Sequence, residues 1–193
     1  MKGPVGEGKC VICSAPSGAG KTTIVHHLLH ADLGLEFSVS ATSRPQRPTE
    51  VDGRDYFFLS PEEFQHRVAG EDFVEWEEVY PGRFYGTLRS ELDRIWTNGH
   101  HAVFDVDVQG GMRLKDIFGK RALALFIRPP SMEALAERLG KRGTENAASL
   151  KVRLDKAAIE LQAAPLFDAV VVNDDLQHAC TQAEQRVREF LVG

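Results

Sequence analysis

Short apolar runs alternate along this chain with longer stretches whose apolar positions recur at helical spacing. The runs Lys9–Cys13, Phe37–Ala41, His101–Val106, Ala122–Ile127 and Ala169–Val172 carry few polar interruptions, the pattern of parallel strands buried on both faces. Helical periodicity falls on Lys21–His30, Gly110–Phe118, Met132–Leu139, Ala147–Ala164 and Leu176–Phe190. Strand and helix take turns, which predicts an α/β fold with a parallel central sheet covered on both faces.

Two stretches break the alternation. From Arg44 to Thr87 the chain is rich in aromatics, Gly and Pro, with β-like pieces at Tyr56–Leu59 and Phe73–Val79 and a helix from Pro61 to about Ala69. This stretch reads as a small, partly antiparallel insertion. The second break, Gly140-Lys141-Arg142-Gly143-Thr144, is a glycine-flanked basic loop between two helical segments. No repeat or low-complexity tract appears, and the first eight residues read as a loose terminus.

Composition narrows the class. With 42% apolar and 26% charged residues the chain has the profile of a globular protein, and 193 residues suffice to bury a sizeable core. A net charge of −5 argues against nucleic acid or an anionic membrane as the main partner. No apolar run approaches the ~18 residues of a membrane span, and Met1-Lys2-Gly3-Pro4 does not lead into a signal-peptide core. The expected location is the cytoplasm. Cys10 and Cys13 have redox-motif spacing but fall in one strand, where residues three apart point to opposite faces and cannot share a metal. His26-His27 and His100-His101 have no Cys or carboxylate partners at metal-ligand spacing.

The chemistry begins at Ala15-Pro16-Ser17-Gly18-Ala19-Gly20-Lys21-Thr22, between the first strand and the first helix. This is a phosphate-binding P-loop with alanine in place of its first glycine. Gly18 and Gly20 let successive N–H groups curl inward toward phosphate oxygens, and the helix N-terminus favours the anion. Lys21 is placed to reach the β- and γ-phosphates of ATP, and the Thr22 hydroxyl to ligate Mg²⁺. Ala15 is tolerated there if its φ is negative. The run Ala102-Val103-Phe104-Asp105-Val106-Asp107 is a buried strand ending in carboxylates. At the carboxyl edge of the sheet, Asp105 can hold Mg²⁺, directly or through water.

A P-loop does not identify the acceptor of the phosphoryl group. Arg44 and Arg47, three residues apart in Ser40-to-Arg47, together with Tyr56 in Gly53-Arg54-Asp55-Tyr56, suit a phosphate monoester dianion. These segments, with the P-loop, Phe73-Val74-Glu75-Trp76, Tyr85-Gly86-Thr87, Asp105-to-Gly110, Arg142-Gly143-Thr144 and Val172-to-Asp175, resemble the guanylate kinase family from about Gly8 to near the C-terminus. The departures (Ala15, threonine at 22 and 87, Pro48-Thr49) remove no functional group.

The resemblance implies a P-loop three-layer fold in one domain, with a core of residues 9–43, 88–130 and 155–193. A mixed α/β insertion for the nucleoside monophosphate would span 44–87 and a helical lid 131–154. It implies Mg-dependent transfer from ATP to GMP, and to dGMP. Residues 15–23, from Ala15 to Thr22 and Thr23, would bind ATP. Arg142 and Asn173 would lie beside the adenine, and Arg138 and Arg153 would close over the phosphates. Arg44, Arg47, Tyr56 and Tyr85 would hold the GMP phosphate, with Ser40, Glu75 and Thr87 reading the guanine and Asp107 near the acceptor base. Lys21, Arg44, Arg138 and Arg153 would be the catalytic cations.

A carboxylate is the sensible guanine reader, because N1–H and the exocyclic amine are adjacent donors. Adenine would leave Glu75 desolvated and unpaired. Ser40 and Thr87 hydroxyls can donate to O6. The acceptor phosphate is mostly a dianion above its second pKa of about 6, so no general base is needed. The chain is expected to act on small molecules, as a monomer or homodimer. A guanylate-kinase-like interaction module would have lost Lys21 and Thr22, and a sugar-phosphate kinase would not need Glu75. A GTPase would carry an Asn-Lys-x-Asp motif, which is absent here.

Overall fold

A computed structural model describes residues 8–141 and 147–193. Residues 1–7 of the expected loose start and Arg142, Gly143 and Thr144 of the basic loop therefore lie outside the described residues, while Gly140 and Lys141 end a helix.

The first strand, β1 (Cys10–Ser14), runs up the middle of a five-stranded parallel sheet and feeds α1 (Lys21–His30). Around it lie β2 (Leu35–Phe37), β7 (His101–Val106), β8 (Ala122–Arg128) and β9 (Ala169–Val172), in the order β2-β7-β1-β8-β9. Register is continuous, with Cys10 opposite Ala102 and Ala122, and Cys13 opposite Asp105 and Leu125. Alternation along β1 sends Val11 and Cys13 to one face, against Ile24 and Leu28 of α1 and Ala183 and Val187 of α7 (Leu176–Val192). It sends Cys10 and Ile12 to the other, against Leu92 and Ile95 of α3 (Arg89–Thr97) and Leu114 of α4 (Val108–Phe118). The two cysteines thus lie on opposite faces. Both are buried, and burial pushes each thiol up to about 12.

A second, four-stranded sheet stands beside the first, in the order β4-β3-β6-β5. It comprises β3 (Ala41–Thr42), β4 (Phe57–Phe58), β5 (Phe73–Tyr80) and β6 (Arg83–Leu88), with α2 (Pro61–Ala69) across it. β3 and β4 pair in parallel, and the other pairings are antiparallel. Its small core stacks Phe64 on Phe73, ring centroids 4.4 Å apart. The helix α2 begins where Ser60 accepts from the Glu63 N–H and Pro61 takes the first position. Two further helices, α5 (Met132–Lys141) and α6 (Ala147–Glu160), pack through Leu135, Leu139 and Ala157. Among the described residues no helix is long and apolar enough to cross a membrane.

The structure differs from the sequence reading at several points. The run Phe37–Ala41 is not one strand: β2 ends at Phe37, and β3 starts at Ala41 in the other sheet, so residues 38–40 bridge the two. The helix α3 and the strand β6 were not foreseen. The fifth predicted helix stops as α-helix at Glu160 and continues as a 3-10 turn to Leu166, where Pro165 disallows α-helical hydrogen bonding. The second sheet uses Ala41–Thr42 and Leu88, just outside the expected insertion, and α6 crosses the expected end of the lid at 154 without a break.

Candidate active site

The P-loop leaves the carboxyl end of β1 at Ala15 and enters α1 at Lys21. Gly18 and Gly20 have φ of 91° and 93°, in the left-handed region that glycine occupies without strain. A side chain at Gly20 would also collide with the Asn173 amide, and one at Gly18 would press on Leu139 of α5 at 2.7 Å. Ala15 is not among the residues with positive φ, so alanine fits where relatives of the loop carry glycine. Residues 15–23 all line a cleft of about 310 Å³.

The strand β7 brings Asp105 against this loop. Lys21 Nζ lies 2.8 Å from Asp105 Oδ1 and donates to the Val106 carbonyl, while Thr22 Oγ1 donates to Asp105 Oδ2 at 2.8 Å. A hydroxyl and a carboxylate side by side are hard oxygen donors, the set that Mg²⁺ takes when substrate phosphates and water complete its shell. The residues present therefore fit the ion. Asp107 stands differently from Asp105: it caps α4, its Oδ1 accepting from the Gly110 N–H at 2.8 Å. One carboxylate oxygen is thus committed to the helix, although the side chain still borders the cleft.

On the acceptor side, Glu75 projects from β5 beside Thr87 of β6, its cross-strand partner. The Thr87 hydroxyl donates to Glu75 Oε1 at 2.8 Å. In this arrangement the partner of the Thr87 hydroxyl is Glu75, where the sequence reading expected guanine O6. Burial raises the Glu75 carboxyl to about 7, with the Thr87 hydrogen bond and the charge of Arg113 opposing it. Gly86 has no room for a side chain, since a Cβ would sit 2.8 Å from the Glu75 carbonyl oxygen.

Arg44 and Arg47 are placed differently from one another. Arg44 is buried, and its fork is filled by Glu50, with Nη1 to Oε2 at 2.7 Å and Nη2 to Oε1 at 2.6 Å. Tyr56 and Phe58 lie under the cation, ring centroids 4.9 and 5.4 Å from it. Arg47 is exposed, its guanidinium 3.9 Å from the same carboxylate. The Arg44 hydrogen bonds hold Glu50 down to about 2, so Glu50 is an anion throughout the neutral range. It occupies the arginine pair as a phosphate would. Sequence reasoning missed Glu50; its spacing six residues after Arg44 and three after Arg47 was the available signal. Tyr56 and Tyr85 meet edge to face, ring centroids 6.1 Å apart, and burial raises the Tyr56 hydroxyl above its ordinary value.

The two halves share one cleft of about 390 Å³, lined by Lys21 and Asp105 from the first sheet and Tyr56, Glu75 and Tyr85 from the second, with Ser40 at the bridge between them. The helical pair reaches the same place. Arg153 Nη2 donates to Ser17 Oγ at 2.7 Å, and Arg138 Nη2 to the Asn173 carbonyl at 2.9 Å. Asn173 is buried, and its amide donates to the Ala19 carbonyl at 2.8 Å. Asn173, expected beside the adenine, thus braces the P-loop through its Nδ2 in this arrangement. Lys156 and Glu160 of α6 also line the P-loop cleft, and sequence reasoning named neither. Their spacing from Arg153, at i+3 and i+7, could have found them.

A phosphate loop at the carboxyl edge of a parallel sheet, facing a separate acceptor sheet across a shared cleft, defines a P-loop phosphotransferase for a small phosphorylated acceptor. The guanylate kinase family profile matches residues 7–190. The chain is 50% identical over 186 residues to a guanylate kinase of Bacteroides fragilis, covering 96% of this chain and 91% of that one. It is 52% identical over 181 residues to a guanylate kinase of Salinibacter ruber, covering 94% and 96%. Its fold is similar to the crystal structure of guanylate kinase from Anaplasma phagocytophilum, with a TM-score of 0.78 and 30% identity over 96% of this chain and 87% of that one. The chain belongs to the guanylate kinase family, whose reaction transfers a phosphoryl group from ATP to GMP.

Proposed function

We propose that the shared cleft holds ATP and GMP end to end, with the residues named above performing the family's reaction. The observation that carries this reading is the cleft itself, which a P-loop lysine and a half-buried carboxylate suited to guanine both line. The backbone of residues 15–20 binds the donor phosphates, and Lys21 turns from Asp105 to the β- and γ-phosphates. Thr22 and Asp105 would hold Mg²⁺, which would supply positive charge to the donor phosphates. Glu75 accepts from N1–H and the exocyclic amine of the guanine, held for that purpose by Thr87, while Ser40 stands at the base and Asp107 borders it. The same residues would take dGMP as an acceptor alongside GMP.

The GMP phosphate takes the place that Glu50 occupies between Arg44 and Arg47, and Tyr56 and Tyr85 donate to it. One of its dianionic oxygens attacks the γ-phosphorus in line as the bond to the β-γ bridging oxygen breaks. No proton has to move. The protein's work is to align two polyanions and offset their repulsion, which is where Lys21, Arg44, Arg138 and Arg153 act. Arg153, already on Ser17, and Arg138, on the loop's support, bring α5 and α6 over the donor and exclude water that would hydrolyse ATP.

Lys21→Ala tests the assignment. The variant should fold, because Lys21 is a cleft residue, and should lose roughly a hundred- to a thousandfold in kcat, the scale of removing one preorganised charge partner. Unchanged kcat in folded protein would contradict the site.

A further inference from the structure

Arg153, Lys156 and Glu160 stand at i, i+3 and i+7 of α6, one stripe of that helix. Ala157 packs on Leu135 and Leu139 and so fixes how the helix is rotated. The stripe meets the P-loop at its first member, where Arg153 bonds Ser17. One turn later Lys156 borders both the donor cleft and the cleft shared with the acceptor sheet. Five residues line both: Ser17, Lys21, Asp105, Asp107 and Lys156. The cations among them are Lys21, which comes from the P-loop, and Lys156, which comes from α6.

The ammonium of Lys156 lies 3.6 Å from Glu160 Oε1, and its side chain is 51% exposed. A half-exposed i,i+4 pair at that distance stabilises a helix very little and separates readily. Glu160 itself is drawn into the site's field: burial raises its carboxyl, and Asp107 and Lys21 also act on it. A lysine is a flexible point charge, able to follow a phosphoryl group whose position changes by bond lengths during transfer.

We propose that Lys156 is a further phosphate-binding residue of the reaction, meeting the phosphoryl group in transit from α6, with Glu160 as its resting counter-ion. Lys156 forms no covalent bond and gives up no proton. It supplies charge at the junction of donor and acceptor, where the repulsion between the two substrates is greatest. The inference rests on the phosphotransfer reading above.

The test compares Lys156→Met and Lys156→Arg with the unaltered chain. Methionine should lower kcat about tenfold, equivalent to one modest charge contact in the transition state, and arginine should recover most of it. KM for GMP and the melting temperature should scarcely change, which separates this role from a structural one. A bisubstrate ligand, adenosine and guanosine joined through five phosphates, should bind Lys156→Met roughly tenfold more weakly, while GMP alone binds both proteins alike. Unchanged kcat and unchanged bisubstrate affinity would overturn the proposal. If the unaltered chain failed to turn over ATP and GMP, the phosphotransfer reading would fall, and the bisubstrate titration would still decide whether Lys156 binds phosphate.

Discussion

At Glu75, burial and recognition pull in opposite directions. Packing the carboxyl against the acceptor sheet raises it to about 7 and favours its proton, yet two guanine donors can be accepted only by the ionised form. Affinity for GMP should therefore rise with pH through about 7, seen as a fall in KM for GMP between pH 6 and pH 8. Thr87 donates to this carboxylate and lowers its pKa, so Thr87→Ala should move the inflection to higher pH. Titration of the GMP phosphate belongs to the ligand and would not move with that substitution, so an unmoved inflection would contradict the assignment. Stability follows the same proton. The folded carboxyl binds it more tightly than the unfolded one, whose ordinary value is 4.5. The group's contribution is full below that value and is lost as pH rises through about 7. Much at this scale was legible in the sequence: Lys21, Thr22 and Asp105 meet as their motifs require, and Glu75 faces the cleft. Glu50 was not, because an exposed-looking acid in a Pro-rich loop gives no sign that it will close on Arg44.

Between the two sheets the chain crosses twice, at residues 38–40 and at the junction of β6 with α3. One buried carboxylate ties the crossings together. Glu91, near the start of α3, accepts from the Val39 N–H at 3.0 Å and from Arg94 at 2.9 and 3.0 Å. Arg94 also bonds Glu36 at the head of β2, and Glu36 accepts from His100. Glu91→Ala would leave the Val39 N–H buried without its partner and strip Arg94 of two bonds. The expected loss is about 2–4 kcal/mol in urea unfolding. A loss below about 0.5 kcal/mol, the range of an ordinary surface change, would show that Glu91 does not hold the crossing. The long periodic elements were legible: β7, β9, α1 and α2 begin where the residues predict. The crossing was not. Ser38, Val39 and Ser40 sit inside an apolar-looking run, and only tertiary partners, Val103 and Glu91, decide that the strand stops there. The helix α3 was missed for a related reason: its buried face includes Glu91, so its apolar stripe is reduced to Leu92 and Ile95. β6 was missed because Gly86 looks like a turn residue, whereas it is required by the close backbone of β5.

Over the whole molecule, three units meet at one cleft and each brings part of the chemistry. The parallel sheet supplies the phosphate loop and Asp105, the mixed sheet and the loop after β3 supply Glu75, Arg44 and Arg47, and α5 with α6 supplies Arg138, Arg153 and Lys156. A crevice of about 660 Å³ also separates α1 from the loop around Glu50 and Tyr56, so the mixed sheet has space to move toward the core about its two crossings. That arrangement suits an enzyme that assembles its site only when both substrates are present. The most direct test follows ADP release with MgATP and, one at a time, GMP, dGMP, AMP, CMP, UMP and a ribose phosphate. Turnover with GMP and dGMP, and little with the other four, is the expected result. Equal turnover with AMP, or none with any acceptor despite folded protein that binds ATP, would contradict the reading of Glu75 and the acceptor sheet.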